Sequence, residues 1–473
     1  MGVKNLLIST VVAVFLIIFS MHSAFAFIDN FQEYQNDLLK ELAEKHDLKP
    51  GDIVDTTNWQ KVKGLIPDKF VEYVKVGDIQ IKIGKYEFDA KVDEAYRKAS
   101  LKNAGKYKIK KETGEIVKAD GSYPRWIYGY PFPDVEKNLD DPLVGSQMAF
   151  NHYAEESRST CVIQGGGIAL IGRETGLERE IEYQWNRYYL WQRADGEQKN
   201  PGDLLRLVFA YMYAPYDMAG FISLTRRPLG SKPDSSYNYL PAIRRIRKLG
   251  AADRSQSSLG TDAVSDDSNG WSGRNHSMHW KFLKEQIALM NVAEWSTKNV
   301  TKYKETREGW VSNLNVIDSL YYGLEDKNWK GAPWAPLNYL WVPVRAYVVE
   351  IRAKDPYYAY GPCKYWVEKH TYCFFFKEMT NRAGEHWKLG VTPYYWQDWW
   401  SKERTQYPNP GVKRTCADAT NWLYIDDRLQ HASMYSGFCY FKWPEGKLRP
   451  VVNMDPKMKE SYFTLRNMRA MAK

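Results

Sequence analysis

Apolar positions first recur at helical spacing. Phe31, Tyr34, Leu38, Leu42 and Ala43 fall on one face of residues 29–46, which predicts an amphipathic helix broken by Pro50-Gly51. A second short helix is expected behind Thr57 or Asn58 as N-cap. A third takes Pro67 into its first turn and stops at Gly77, because proline suits a helix start and glycine its end. The period then shortens to two. Residues 78–84, DIQIKIG, alternate as a strand, and residues 106–119 predict a hairpin around Thr113-Gly114. An irregular aromatic segment, WIYGYPFPD, runs from Trp126 to Asp134.

From Cys161 to Leu249 the chain is a series of strand-like runs: CVIQGGGIALIGRE, IEYQWNRYYLWQRA, LLRLVFAYMYAP, AGFISLTRRP and YNYLPAIRRIRKL. Their short joints predict an antiparallel meander, since parallel strands need long crossovers. Residues 250–275 read as a polar loop rich in Ser, Asp and Gly. A second β-like half follows, with RAYVVEIRA (345–353), CKYWVEK (363–369), YCFFFKEM (372–379), EHWKLGV (385–391) and WLYIDD (422–427). The tail around Tyr462–Ala472 reads as helix. No internal repeat or low-complexity tract interrupts this order.

The start of the chain stands apart. Lys4 precedes an apolar run from Leu6 to Phe19, and Ala24-Phe25-Ala26 supplies a small-x-small cleavage site. This is the layout of a secretory signal peptide, with cleavage expected after Ala26. At about 14 residues the run is short for the roughly 20 that a spanning helix needs. The expectation is an exported protein, with residues 27–473 as one domain: a helical and irregular extension over 27–150, then a curled sheet over 151–473.

Composition narrows the class. The chain has 473 residues, 44% apolar and 26% charged, with a formal net charge of +9, and its mean hydropathy is −0.57. That is a folded, water-soluble composition. Aromatics reach 15%, which favours pleated, half-buried surfaces. Five cysteines lie beyond the leader: Cys161, Cys363, Cys373, Cys416 and Cys439. Their odd number leaves at least one outside any intrachain pair. Cys416–Cys439 and Cys363–Cys373 are the nearest-neighbour pairings in an oxidising compartment.

Candidate chemistry is sparse. GxSxG, HExxH and DxDxDG are absent, so the common hydrolase, zincin and EF-hand sites have no support. Gly165-Gly166-Gly167 lacks the GK[ST] of a phosphate loop and reads as a bulged or closely approached strand. Arg244, Arg245, Arg247 and Lys248 form the densest basic cluster. On a strand, Arg245 and Arg247 share one face, and Arg244 and Lys248 the other. Such a row is either a solvated face or, beside a cavity mouth, a set of guanidinium forks for a carboxylate, a phosphate or a partner's acid. Nucleic acid does not suit an exported chain. Arg254, Asp262, Asp266 and Asp267 lie in the polar loop, whose carboxylates are expected to be solvated or arginine-paired rather than calcium ligands. His276 and His279 offer only half a metal site. No metal or cofactor is implied.

The longer motifs carry a resemblance. They are GDIVDTTNWQKVKGLIP (51–67), GYPFP (129–133), YAPYDMAG (213–220), YNYLPAIRRIRKLGAADRSQSSLGTDAVSDDSNG (237–270), RAYVVEIRAKDP (345–356) and YGPCKYWVEKHTYCFFFKEMTNRAGEHWK (360–388). In this order they resemble the outer-membrane-lipoprotein-sorting-like proteins of the family called domain of unknown function 1329. The resemblance implies a mainly β, α+β fold and a periplasmic location. An antiparallel sheet curls into an unclosed barrel, plugged by helices, around an apolar cavity, as in periplasmic lipoprotein carriers. The family supplies no catalytic residues, and a non-enzymatic role is expected. Two roles follow. One is a carrier for a lipid, a lipoprotein or another hydrophobic molecule; the other is an adaptor docked on a resistance-nodulation-division type transporter or an outer-membrane partner. Arg244–Lys248 and Arg254–Asp267 sit in the strongest motif and are the expected ligand or partner contacts. The chain departs from the family's pattern over roughly 363–439, where its cysteines gather.

Overall fold

The computed structural model describes residues 27–156, 161–193, 196–250, 252–257, 259–306, 309–312, 321–400, 413–436, 452–453 and 459–472. The leader expected over residues 1–26 lies outside them.

The N-terminal third is helical and irregular, as its pattern predicts. Helix α1 (Phe31–His46) is capped by Asn30, whose side chain accepts from Glu33 N at 3.2 Å, and it buries Phe31, Leu38 and Leu42. A single 3-10 turn, Trp59–Val62, stands where the second helix was expected. Helix α2 (Asp68–Val76) begins after Pro67 and ends at Gly77 in the left-handed region. Its Phe70 ring packs 5.3 Å from Trp341 and 5.4 Å from Phe376. Strand β1 (Ile53–Val54) pairs with β2 (Ile81–Lys82), so only two residues of DIQIKIG are laddered. Helix α3 (Glu94–Leu101) precedes the expected hairpin, β3 (Tyr107–Ile109) and β4 (Ile116–Lys118), with Gly114 at φ +75°. Helix α4 (Val144–Glu156) leads into the sheet.

The sheet uses nearly all the remaining strands. The first half is a strict antiparallel meander of β5 (Cys161–Gly172), β6 (Gly176–Tyr189), β7 (Leu204–Ala214), β8 (Ile222–Pro228), β9 (Ser235–Leu240) and β10 (Arg245–Leu249). Pro241 splits the expected YNYLPAIRRIRKL run into two strands across a 3-10 turn, and Arg244 takes φ +52° at its end. The second half holds β11 (Met278–Ala293), β12 (Thr301–Thr306), β13 (Gly309–Ser312), β14 (Tyr339–Ala353), β15 (Cys363–Glu368), β16 (Phe374–Thr380), β17 (His386–Val391), β18 (Tyr394–Trp400), β19 (Lys413–Ala419), β20 (Asn421–Asp426), β21 (His431–Ser436) and β22 (Val452–Asn453).

The main ladder runs β10-β9-β8-β7-β6-β5-β21-β20-β17-β16-β15-β14-β11, antiparallel throughout. Its end strands β10 and β11 do not pair with each other among the described residues, so the curled sheet stays unclosed at that seam. Strands β12, β13, β18, β19 and β22 form a side branch that reaches back to β5. At β5, an added Cβ on Gly166 would stand 2.3 Å from Ser436 O and 2.6 Å from Tyr183 Oη, so the triple glycine marks a close approach.

Two other segments complete the curl. Helix α5 (Leu465–Met471) and the turn before it cover one face of β6–β9 through Phe463 and Met468. The polar loop expected over 250–275 runs between the end strands with 3-10 turns at Ala252–Ser255, Ser265–Asp267 and Asn275–Ser277, and its residues 261–275 are largely buried. Trp271 lies 5.3 Å from Trp280 and 6.1 Å from Tyr365, filling one half of the interior. That half is packed with rings. The half beneath β5–β10 is not.

Candidate functional site

Alternation along β6–β10 sorts the side chains into two sets. Asn186, Tyr188, Leu207, Phe209, Ile222, Leu224, Tyr237 and Ile246 belong to the face beneath Phe463 and Met468 or lie beside it. Tyr183, Trp185, Arg187, Arg206, Val208, Ala210, Met212, Ser223, Thr225, Arg227, Ser236, Asn238, Arg247 and Leu249 line a cavity of about 430 Å³ on the other. Ile168 of β5, Trp422 and Tyr424 of β20, Tyr435 of β21 and the segment from Asp253 to Ser272 close it. This volume is in the range of small-molecule sites, about 300–1,000 Å³.

The cavity has two kinds of wall. Toward β5, β20 and β21 it is apolar and aromatic. Toward β8–β10 it carries Ser223, Thr225, Ser236 and Asn238. Five arginines line it, Arg187 on β6, Arg206 on β7, Arg227 on β8, Arg247 on β10 and Arg254 in the segment after β10, against two aspartates, Asp234 and Asp253. Two buried polar atoms on this lining, Trp422 Nε1 and Asn238 Oδ1, have no hydrogen-bond partner among the described residues. The interior expected to be apolar is therefore amphipathic. Arginine forks retain their charge and present several donors to one anionic group.

The arginines are held by a buried network. Asp234 accepts from Arg227 at 2.9 Å, Arg254 at 2.7 Å and Arg274 at 3.1 Å. Burial opposes ionisation of Asp234, but the three guanidinium groups outweigh it and hold its carboxyl far below the usual range. Arg254 also bonds Asp266, with Nε 3.1 Å from Oδ1. Arg206 donates to the Ser272 carbonyl at 3.2 Å and to its hydroxyl. Three arginines share two aspartates here, so the network carries a net positive charge.

The sequence-expected residues divide. Arg247 and Arg254 line the cavity. Arg244, Arg245 and Lys248 are exposed and make no ion pair among the described residues. The expected sharing of a face by Arg244 and Lys248 does not hold, because Arg244 belongs to the turn after Pro241. Asp262, Asp266 and Asp267 are buried, line no described cavity and are already occupied. Asp262 accepts from Ser433 Oγ at 2.6 Å and lies 2.6 Å from His431 Nδ1. That hydrogen bond raises the His431 pKa. Asp266 accepts from Tyr358 at 3.0 Å as well as from Arg254. Asp267 pairs with Lys377 and accepts from Tyr360 at 2.9 Å. These aspartates anchor the 252–277 segment to the sheet, and the expectation of arginine pairing holds for Asp266. Arg187, Arg206, Arg227, Asp234 and Arg274 complete the site without having been singled out in the sequence. Their visible trace is a charge placed inside an apolar alternation, as in LLRLVFA.

The cysteines need one correction. Cys363 is a buried thiol whose Sγ lies 3.6 Å from Gly361 O, and burial pushes its pKa up to about 12. It is not bonded to Cys373, because Cys363 stands opposite Met379 in the ladder whereas Cys373 precedes β16. Cys416 is buried, 3.4 Å from Gln397 Nε2, and Cys439 lies outside the described residues. Among the described residues no group of three or more His, Cys, Asp and Glu could hold a metal ion. His276 is half-buried beside Arg274, with its pKa lowered to about 4 mainly by burial, and His279 is exposed. No described helix is long and apolar enough to cross a membrane.

A family model described as "Protein of unknown function (DUF1329)" matches residues 53–407. No curated protein matches the chain. Among solved structures, a domain named for outer membrane lipoprotein sorting from Vibrio parahaemolyticus is 13% identical, with a TM-score of 0.42 over 71% of this chain and 99% of that one. A DUF1329 family protein from Desulfovibrio piger is 11% identical, with a TM-score of 0.42 over 71% and 98%. A LolA superfamily protein from Nitrosomonas europaea is 10% identical, with a TM-score of 0.36 over 68% and 98%.

Proposed function

The chain belongs to the DUF1329 family, and from its geometry we propose that it is a periplasmic carrier whose curled sheet shelters a hydrophobic molecule with an anionic end. The observation that carries this is the amphipathic cavity of about 430 Å³, apolar toward β5, β20 and β21 and lined by five arginines from β6, β7, β8, β10 and the segment after β10. An acyl chain gains about 0.8 kcal/mol per buried methylene, so the apolar wall alone gives useful affinity. Arg247 and Arg254 would hold the carboxylate or phosphate, and Trp422 Nε1 would find an acceptor. The seam between β10 and β11 is the natural entrance, since no ladder seals it. The leader-like pattern of residues 1–26 supports an envelope location.

The test is direct. Protein stripped of lipid should take up one fluorescent fatty acid per chain, displaced by dodecanoate. Ala210→Trp fills the space opposite Trp185 and should weaken uptake at least tenfold, and Arg247→Glu should weaken it for fatty acids but not for neutral alcohols. Stripped protein that takes up nothing, or Ala210→Trp binding like the parent, overturns the carrier reading.

One observation favours a second reading, the adaptor. Arg244, Arg245 and Lys248 are exposed without ion pairs, a cationic patch suited to a partner's acids. Under this reading, charge reversal at the three positions abolishes cross-linking to an envelope protein whereas Ala210→Trp leaves it intact.

A further inference from the structure

A second cavity, of about 490 Å³, lies between α1, residues 86–97 and strands β11, β14, β18 and β19. It shares no lining residue with the sheet cavity. Phe31, Tyr86, Phe88, Met290, Val344 and Trp396 make its walls. Within these walls sits Glu368, only 5% exposed. Its Oε2 accepts from His370 N at 3.0 Å and from Thr371 N and Oγ1 at 2.7 Å each. Its Oε1 accepts no hydrogen bond among the described residues. The neighbouring Lys369 is turned to Glu136 and Glu285 instead, at 3.4 and 3.1 Å. Among the described residues Glu368 is thus a buried carboxyl that makes no ion pair, and it presents one unused oxygen to an aromatic cavity.

We propose that this cavity is a second binding site, for an organic cation with an apolar body, an alkylammonium in its simplest form. An ammonium head donates to Glu368 Oε1 as a charge-assisted hydrogen bond and supplies the missing positive charge. The rings of Tyr86 and Trp396 add cation–π attraction. The apolar tail is sheltered by Phe31, Met290 and Val344. The rim selects for the same sign. Exposed Asp29, Asp89 and Glu94 outnumber Lys91 and Arg97, and those two bases are already drawn to them, at 3.7 Å for Lys91–Asp89 and 2.7 Å for Arg97–Asp29. An anion meets repulsion at this entrance, so the site does not duplicate the arginine-lined one. Burial pushes the Glu368 pKa up to about 7, outweighing the hydrogen bonds from Thr371 and His370 and the nearby charge of Lys369.

The probes are dodecylammonium, dodecanol and dodecanoate, titrated calorimetrically into the lipid-stripped full chain near pH 7.5. The expected result is one dodecylammonium per chain, bound at least tenfold more tightly than dodecanol and weakened at least tenfold by Glu368→Gln. The glutamine keeps the size of the side chain and an oxygen for Thr371. The alcohol comparison in the parent protein needs no variant at all. Dodecanoate uptake, followed in the same protein, reports the sheet cavity separately, so either site can fail alone. No saturable dodecylammonium binding, equal binding of dodecanol, or an affinity unchanged by Glu368→Gln overturns the proposal.

Discussion

Lys377 and Glu368 show what burial asks of a charged side chain. Lys377 is 3% exposed and meets Asp267, so neither charge is left alone. Glu368 is 5% exposed and has only neutral donors, with its pKa raised to about 7 from an ordinary value near 4.5. Between those two values the folded protein holds a proton that the unfolded chain has released. Stability therefore falls as pH rises through that window and is level above it. The full shift corresponds to roughly 3 kcal/mol. Glu368→Gln cannot ionise and escapes this loss. Urea denaturation of both proteins should show the variant gaining on the parent by up to about 3 kcal/mol between pH 4.5 and 8, and a difference independent of pH would refute it. The sequence hid the Lys377–Asp267 pair, and the other buried aspartates, for one reason. Asp262, Asp266 and Asp267 stand among Ser and Gly and look solvated, but Lys377, Arg254 and His431, distant in the chain, decide that they are buried. Pairing between such distant positions leaves no local periodicity to read.

At the scale of elements, the legible parts are those whose pattern matches one environment. The β5–β10 meander was readable because each strand buries an apolar face and short turns separate the runs. Strand β11 was not: KFLKEQIALMNVA is rich in good helix formers, and its long pairing with β14 overrides that propensity. DIQIKIG alternates well yet its two-residue strand is Ile81–Lys82, because the backbone then turns to β14, with Ile83 bridged to Trp341 and Gly84 N donating to Trp341 O at 2.9 Å. The C-terminal helix is marginal alone at seven residues. Its docking rests on the turn before it, where the fully buried Phe463 ring stacks 5.3 Å from Phe209. Phe463→Ala removes that contact and the burial of Leu207 and Leu224 beneath it. The expected cost is about 3–5 kcal/mol in urea denaturation. The variant should also gain binding of a hydrophobic dye. A loss below about 1 kcal/mol would show that the helix is not needed to cover β6–β9.

The whole molecule is a curl with a cavity in each half, and its stability should follow how each strand is paired and covered. Strands β6 and β7 are central, paired on both sides and covered by the C-terminal helix. Among the described residues strand β10 is paired on one side only, to β9, and its side chains are half-buried or exposed. Local opening is cheapest where few buried contacts resist it. Amide exchange of β10 and of residues 252–257 should therefore be at least a hundredfold faster than that of β6 and β7. This is also the seam through which a guest would enter the arginine-lined cavity. A molecule bound between Arg247, Arg254 and the aromatic wall joins β10 to β20 and β21, so dodecanoate should slow exchange at β9, β10 and 252–257. Dodecylammonium should instead protect residues 86–97 and α1, which lie on the other side of the ladder's second half. Protection spread evenly over both regions by either probe would mean that the molecule responds as one rigid body, with no separate compartments. Protection that follows the sign of the headgroup would mean that the two cavities divide amphiphiles by charge.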